Sequence, residues 1–210
     1  MVHEIEAAGQ RFSLAPLEPE DITEVLRLCD RCVGENLYTR EDLIHAMKDA
    51  DSMFLVLKNP NGQLAGYIYY YLTDTEQIAR DSRVRKVKIS EVCKCEDRMP
   101  VGKIQSVGVE EEFRGHGLAR YLVRFALSQL GGMGAAEVFI ICWNIRGVVP
   151  LGKVLKECQF THLTTAKRIW YNKKELYCPY CKGCCKCDAE VFYKKLGVSY
   201  KSNDLERKFK

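Results

Sequence analysis

Two short segments of this chain hold residue types that could do chemistry. The first is Ser106-Val-Gly-Val109, then Glu110-Glu-Glu-Phe-Arg114, then Gly115-His116-Gly117-Leu118-Ala119. It reads as a strand, a tight loop and the start of a helix. Gly115 and Gly117 let the loop backbone approach a ligand closely. The first N–H groups of a helix lack partners within it, and the helix dipole is positive there. Together these make a seat for phosphate or pyrophosphate, beside which Arg114 adds a permanent charge able to bind phosphate in a bidentate way. Two well-known phosphate motifs fail here. The P-loop needs Lys-Ser/Thr after its last glycine, and Gly117 is followed by Leu118. The dinucleotide fingerprint needs a third glycine where Arg120 stands.

The second segment holds five thiols in ten residues: Cys178, Cys181, Cys184, Cys185 and Cys187. Cys178 and Cys181 form a knuckle-type pair. Cys184 or Cys185 with Cys187 supplies a second, and Gly183 lets the chain double back between them. Four thiolates about 2.3 Å from an ion make a tetrahedral metal site. Zn²⁺ is the first candidate, an iron–sulfur cluster the minor one, and free thiols the alternative. The other cysteines are less pointed. Cys29-x-x-Cys32 ends a helix and Cys93-x-Cys95 lies in a loop. A second four-sulfur site from these pairs is conceivable, but Cys29 suits an apolar helix face. Cys142 and Cys158 read as core fillers.

The elements that position these segments follow from periodicity. Residues 11–16 alternate as a first strand. Pro19-Glu20-Asp21 opens a helix that Gly34 stops. Thr39 and Asp42 form the acidic variant of a capping box for a second helix. Met53–Leu57 and Leu64–Leu72 flank Asn61-Gly62, the strongest hairpin signal in the chain. In the returning strand, alternation sends Tyr69 and Tyr71 one way and Tyr70 the other. Residues 73–100 are polar and basic, and read as a solvated loop with a short strand at 84–89. Ile104–Val109 is a strand and Leu118–Phe125 a helix ended by Gly131-Gly132. Val138–Cys142 is a continuous apolar run, as in a central strand. A helix over 145–157, a strand over 160–171 and a last strand over 190–196 complete the order. It describes a mixed α/β sheet. Residues 1–10 read as an N-terminal extension, 11–196 as one domain with the cysteine-rich insertion 178–187, and 197–210 as a charged tail.

Composition bounds the function. The chain has 210 residues, 29% of them charged, and a net charge of +4. That is too mild to argue for nucleic acid, and no aromatics interleave the basic stretch Arg80–Lys88. No apolar run is long enough to cross a membrane, and the first residues lack the apolar core of a secretory signal. A cytoplasmic setting is therefore expected, where reduced thiols or metal ligands are the natural state of the cysteines. Eleven cysteines cannot all pair within one chain in any case.

The segment from Val109 to Ala119, with Arg114, Gly117 and Ala119 in place, resembles the pyrophosphate motif R/Q-x-x-G-x-G/A of the GNAT superfamily of acyl-CoA-dependent N-acyltransferases. The element order matches that fold from about residue 11 to 196. The resemblance implies a mostly antiparallel sheet with splayed central strands, flanked by helices, and acetyl-CoA as co-substrate. It implies that backbone N–H groups from Gly115 through His116, Gly117, Leu118 and Ala119 to Arg120 hold the pyrophosphate. The backbone of Val107, Gly108 and Val109 would pair with the pantetheine arm where strands splay after residue 109, and an N–H near Val109 would polarise the thioester carbonyl. Asn144 would contact the pantetheine. His116 stands at a variable position of the motif that points to solvent. The resemblance leaves the acid and base unassigned. Lys103 and Gln105 stand where many members carry a glutamate, Leu155 stands where many carry a tyrosine, and Glu110 and Glu111 read as solvated. The implied function is transfer of an acetyl group to a primary amine on a small molecule or protein. The alternative is a non-catalytic acyl-CoA-binding module with a metal- or redox-responsive cysteine lobe. By the family's topology that lobe borders the acceptor.

Overall fold

The computed structural model describes residues 2–93 and 100–196. Its strands are β1 (His3–Ala7), β2 (Gln10–Pro16), β3 (Ser52–Lys58), β4 (Leu64–Thr73), β5 (Val101–Val109), β6 (Glu137–Asn144), β7 (Thr161–Ala166), β8 (Tyr177–Cys178), β9 (Gly183–Cys184) and β10 (Asp188–Lys195). Its helices are α1 (Ile22–Val33), α2 (Arg40–Lys48), α3 (Thr75–Ser82), α4 (Lys86–Ser90), α5 (Leu118–Gly132) and α6 (Gly152–Glu157). Eight strands form one sheet in the order β1-β2-β3-β4-β5-β6-β10-β7, while β8 and β9 pair with each other. Every neighbouring pair in the large sheet is antiparallel except β5 and β6.

Local chemistry accounts for the junctions. The Thr39 hydroxyl accepts the Asp42 N–H at 3.1 Å, and the Asp42 carboxylate accepts the Thr39 N–H at 2.7 Å, so the expected capping box is complete. Gly34 closes α1 with φ of +99°, a conformation open to glycine. At the β3–β4 hairpin, Gly62 N–H donates to Asn59 O at 2.9 Å.

The sheet separates two apolar layers. On one face Phe54, Val56 and Tyr67 meet Val25, Leu28 and Leu43 of α1 and α2. On the other, Leu55, Ile68, Tyr70 and Ile104 meet Leu122, Val123 and Ala126 of α5, and Leu155 of α6. Tyr70 thus points away from the helices that Tyr67 meets, as alternation requires. Leu155 and Cys158 are core residues of the α5 side, as is Cys142.

Four expectations need correction. Residues 3–7, taken as an extension, form strand β1 against β2. Within the described residues 74–93, two helices stand in place of the expected loop with a strand at 84–89. Asp74 caps α3 by accepting the Gln77 N–H at 2.7 Å, and Ile78 of α3 and Ile89 of α4 bury against Phe139 and Val191. The helix expected over 145–157 is confined to Gly152–Glu157, because residues 145–148 make a tight turn, Val148 N–H donating to Ile145 O at 3.0 Å. The strand expected over 160–171 ends at Ala166. The expected tail, 197–210, and Cys95 lie outside the described residues.

Candidate active site

The central strands part earlier than expected. β5 pairs with β6 in parallel from Gly102↔Val138 to Ile104↔Ile140, and the ladder stops there. Beyond Ile104, β5 keeps its hydrogen bonds to β4, with a bulge opposite Tyr69 and Tyr70. A bulge adds a residue on one strand and bends it. The other edge of β5, along Val107, Gly108 and Val109, faces a cleft of about 1740 Å³. Pockets for one drug-sized ligand run to roughly 1,000 Å³. This cleft has room for two.

At one end of the cleft stands the glycine loop. Gly115 and Gly117 have φ of +84° and +80°, so both use the left-handed freedom of glycine. Helix α5 begins at Leu118 with no side-chain cap and no acidic residue in its first turn. Its first intrahelical bond from the N-terminus runs from Tyr121 N–H to Gly117 O, at 3.0 Å. The N–H groups of Leu118, Ala119 and Arg120 precede that bond, and all three residues line the cleft with Gly115, His116 and Gly117. A helix start of this kind, with N–H groups free of intrahelical partners, is chemically suited to an anion. Arg114 stands beside it, in the lining of the cleft. Its Nε donates to Val109 O at 3.0 Å, so the side chain folds back over the end of β5. Arg120 reaches Glu157 at 3.3 Å.

Gly108 has a packing reason to lack a side chain, because a Cβ there would run into the Tyr67 ring and stand 3.1 Å from Cys32 Sγ. Cys32, at the end of α1, lies 3.9 Å from Val109 O. Burial pushes its thiol up, against the lowering influence of Arg114. Glu110, expected to be solvated, instead pairs with Arg31. Asn144 turns to Glu190 and to Gly147: its Nδ2 donates to Glu190 Oε1 at 2.6 Å and its Oδ1 accepts the Gly147 N–H at 2.6 Å. Cys29 is buried in the α1–α2 layer and Cys93 in the α3–α4 layer, so among the described residues these cysteines do not share a site.

The other end of the cleft is lined by Tyr69, Tyr71, Lys103 and Gln105, with Asp42, His45 and Asp49 on the α2 side. Burial pushes the Tyr69 phenol up to about 12, with Tyr71 adding to the rise, and burial raises Tyr71 as well. Both therefore keep their proton at neutral pH. Tyr71 Oη donates to Gln105 Oε1 at 3.3 Å. Lys103 is 4% exposed and paired with Asp81 of α3. Burial lowers its ammonium below the usual lysine range, and Asp81 opposes that. In the floor, Tyr38 Oη and Ser106 Oγ lie 2.7 Å apart. Tyr38, Asp81 and Trp143 carried no sequence signal. Tyr180, which also lines the cleft, did: it stands between two candidate ligands, Cys178 and Cys181.

The cysteine segment folds beside the cleft, with Tyr180 in the lining and Arg114 and Cys32 near it. Cys178, Cys181, Cys185 and Cys187 converge, whereas Cys184 is exposed and its thiol donates to Tyr171 O at 3.0 Å.

A family model described as the acetyltransferase (GNAT) family matches residues 20–146. No curated protein sequence matches the chain. Among solved structures, the chain is similar to Arabidopsis thaliana NAA60 in complex with a bisubstrate analogue (TM-score 0.70, 14% identity, 90% of this chain and 99% of that one). It is similar to Chaetomium thermophilum Naa20 with a bisubstrate analogue (TM-score 0.65, 16% identity, 91% and 92%). A third likeness is to the spermidine/spermine N-acetyltransferase SpeG from Vibrio cholerae (TM-score 0.56, 14% identity, 88% and 93%).

Proposed function

The chain belongs to the acetyltransferase (GNAT) family, and on that premise we propose that it moves an acetyl group from acetyl-CoA to a primary amine of a small molecule or protein. One observation carries the reading. A single cleft runs from the uncapped start of α5, along the unpaired edge of β5, to a pocket of phenols and carboxylates. A pyrophosphate suits the first end and an extended pantetheine the middle. A cationic amine suits the Asp42 and Asp49 end.

Mechanistically, the amine must lose a proton before it attacks the thioester carbonyl. Lys103 and Gln105 cannot take that proton as a glutamate would. Asp42, His45 and Asp49 line the acceptor end, and a chain of waters passes the proton toward them. The carbonyl oxygen gains negative charge as the tetrahedral centre forms, and a backbone N–H near Val109 donates to it. Collapse breaks the carbon–sulfur bond. The leaving CoA thiolate takes a proton from Tyr69 or Tyr71, both protonated at neutral pH, and the phenolate is restored by the proton the amine released, passed back through water.

The test is incubation with acetyl-CoA and a panel of amines: peptides with free N-termini, lysine peptides and polyamines. CoA thiol release is followed, and the acetylated acceptor is identified by mass spectrometry. Turnover on at least one class is expected. Stoichiometric acetyl-CoA binding with no turnover on any acceptor would make the chain a binding module instead.

A further inference from the structure

The segment Tyr177–Cys187 has little to hold it together. Its two strands are two residues each, with one two-residue ladder between them. A hairpin of that size is not stable alone. Even so, it is tied at fixed points to the rest of the protein. Tyr177 and Glu35 exchange both backbone hydrogen bonds at 3.1 Å, joining it to the end of α1. Trp143 from β6 and Trp170 pack on its small core of Leu176, Cys178 and Cys185. Tyr180 meets Trp143 edge-on, ring centres 5.8 Å apart.

Its core is mostly sulfur. The Sγ atoms of Cys178, Cys181, Cys185 and Cys187 all lie within 4.8 Å of one another, and Cys181 and Cys187 are 3.6 Å apart. Four sulfurs at about 2.3 Å from one ion, on the corners of a tetrahedron, stand about 3.8 Å apart. A four-iron cluster binds each thiolate to a different iron and spreads the sulfurs wider. The observed spacing is that of a single ion. Cys178 and Cys185 are fully buried, and the Lys186 N–H donates to Cys181 Sγ at 3.3 Å. Backbone N–H groups aimed at sulfur support a thiolate ligand. Lys182 and Lys186, within the segment, offset the double negative charge such a site carries.

We infer that Cys178, Cys181, Cys185 and Cys187 bind one Zn²⁺ as four thiolates, and that the ion fixes this lobe, with Tyr180, as a wall of the cleft. Binding converts four thiols and one Zn²⁺ into a complex of net charge −2 and releases four protons. No electron moves. Cys184 takes no part. The inference stands apart from the acetyl-transfer reading, because its readout is metal content.

The experiment uses the full chain, purified without chelator, and elemental analysis. One equivalent of zinc per chain is expected. Cys181→Ser and Cys178→Ser should fall below a tenth of an equivalent, while Cys184→Ser keeps its zinc. Should the serine variants fail to fold, the wild-type chain serves. Zinc is titrated out with a mercurial and a colorimetric chelator, and tryptophan emission is followed. Trp143 and Trp170 are the chain's two tryptophans and both pack on the lobe, so emission should shift while far-UV dichroism of the main sheet holds. Less than a tenth of an equivalent of zinc in the wild-type chain overturns the inference. So does iron in its place, a Cys181–Cys187 disulfide, or loss of metal in Cys184→Ser equal to that in Cys181→Ser.

Discussion

The phenol of Tyr38 and the hydroxyl of Ser106 share a 2.7 Å hydrogen bond that ties the α1–α2 connection to β5 two residues past its last pairing with β6. Both groups are buried. The bond holds the free stretch of β5 from behind while its other edge stays open to the cleft. Tyr38→Phe strands the Ser106 hydroxyl, and a cost of about 1–2 kcal/mol is expected from denaturant unfolding. Adding Ser106→Ala should cost less than the sum of the singles, since the stranded group is then gone.

Gly34 is held from two sides. Its φ is +99°, and a Cβ there would stand 2.8 Å from Trp143 Cη2 and 3.0 Å from Leu176 Cδ1. Gly62 has a similar φ of +79° with nothing within 4 Å. Gly62→Ala should cost about 1 kcal/mol of backbone strain, and Gly34→Ala about 2–4 kcal/mol, strain plus overpacking. Thermal unfolding of the pair separates the two contributions.

The backbone anion seat predicts a charge effect without a stability effect. His116 is exposed in the loop ahead of α5. His116→Glu sets a carboxylate beside the seat, and acetyl-CoA binding should weaken on the order of 10-fold by calorimetry, with the unfolding temperature unchanged. His116→Ala should leave kcat within about twofold, since no step of the mechanism uses the imidazole. A larger fall would make it a participant.

Lys103 makes stability depend on pH in the alkaline range. Its folded value is depressed by burial below the ordinary 10.5, so between the two values the unfolded chain binds more protons. Stability therefore rises with pH across that window, and the cost of the buried charge is fully present below it. Asp81 limits that cost. Asp81→Asn leaves the ammonium uncompensated, and a loss of about 3–5 kcal/mol at pH 7 is expected, shrinking as pH rises. Lys103→Met should be close to neutral. Urea midpoints at pH 7 and pH 9.5 check both.

The parts legible in the sequence were those with strong local chemistry. Asn61-Gly62, the Thr39–Asp42 box and the Gly115–Gly117 loop each fix their own backbone, so their neighbours follow. Helix α3 was hidden because Ile78 is its one large buried side chain among charges, and a charge run resembles a loop. With α3 went Asp81, and with it the partner that makes a buried Lys103 tolerable. Strand β1 does alternate, but with two glutamates in five residues it passed for solvent-facing chain. The cysteine segment was legible to within one residue. Adjacent residues of extended chain face opposite ways, which puts Cys185 inward and Cys184 out. Spacing alone could not choose between them.

The position of β10 has a consequence for how the chain is made. Among the described residues it is the last strand in sequence, yet it lies inside the sheet, between β6 and β7. Among the described residues strand β7 has no other neighbour, so it must wait, and the sheet stays open beyond β6 until residue 195 has left the ribosome. At roughly 5–20 residues per second, the cysteine segment emerges several residues ahead of the strand that closes the sheet. A nascent chain stalled before Asp188 would carry the thiols and their docking points, Glu35 and Trp143, but would lack Val191, one of the side chains against which Ile78 and Ile89 bury.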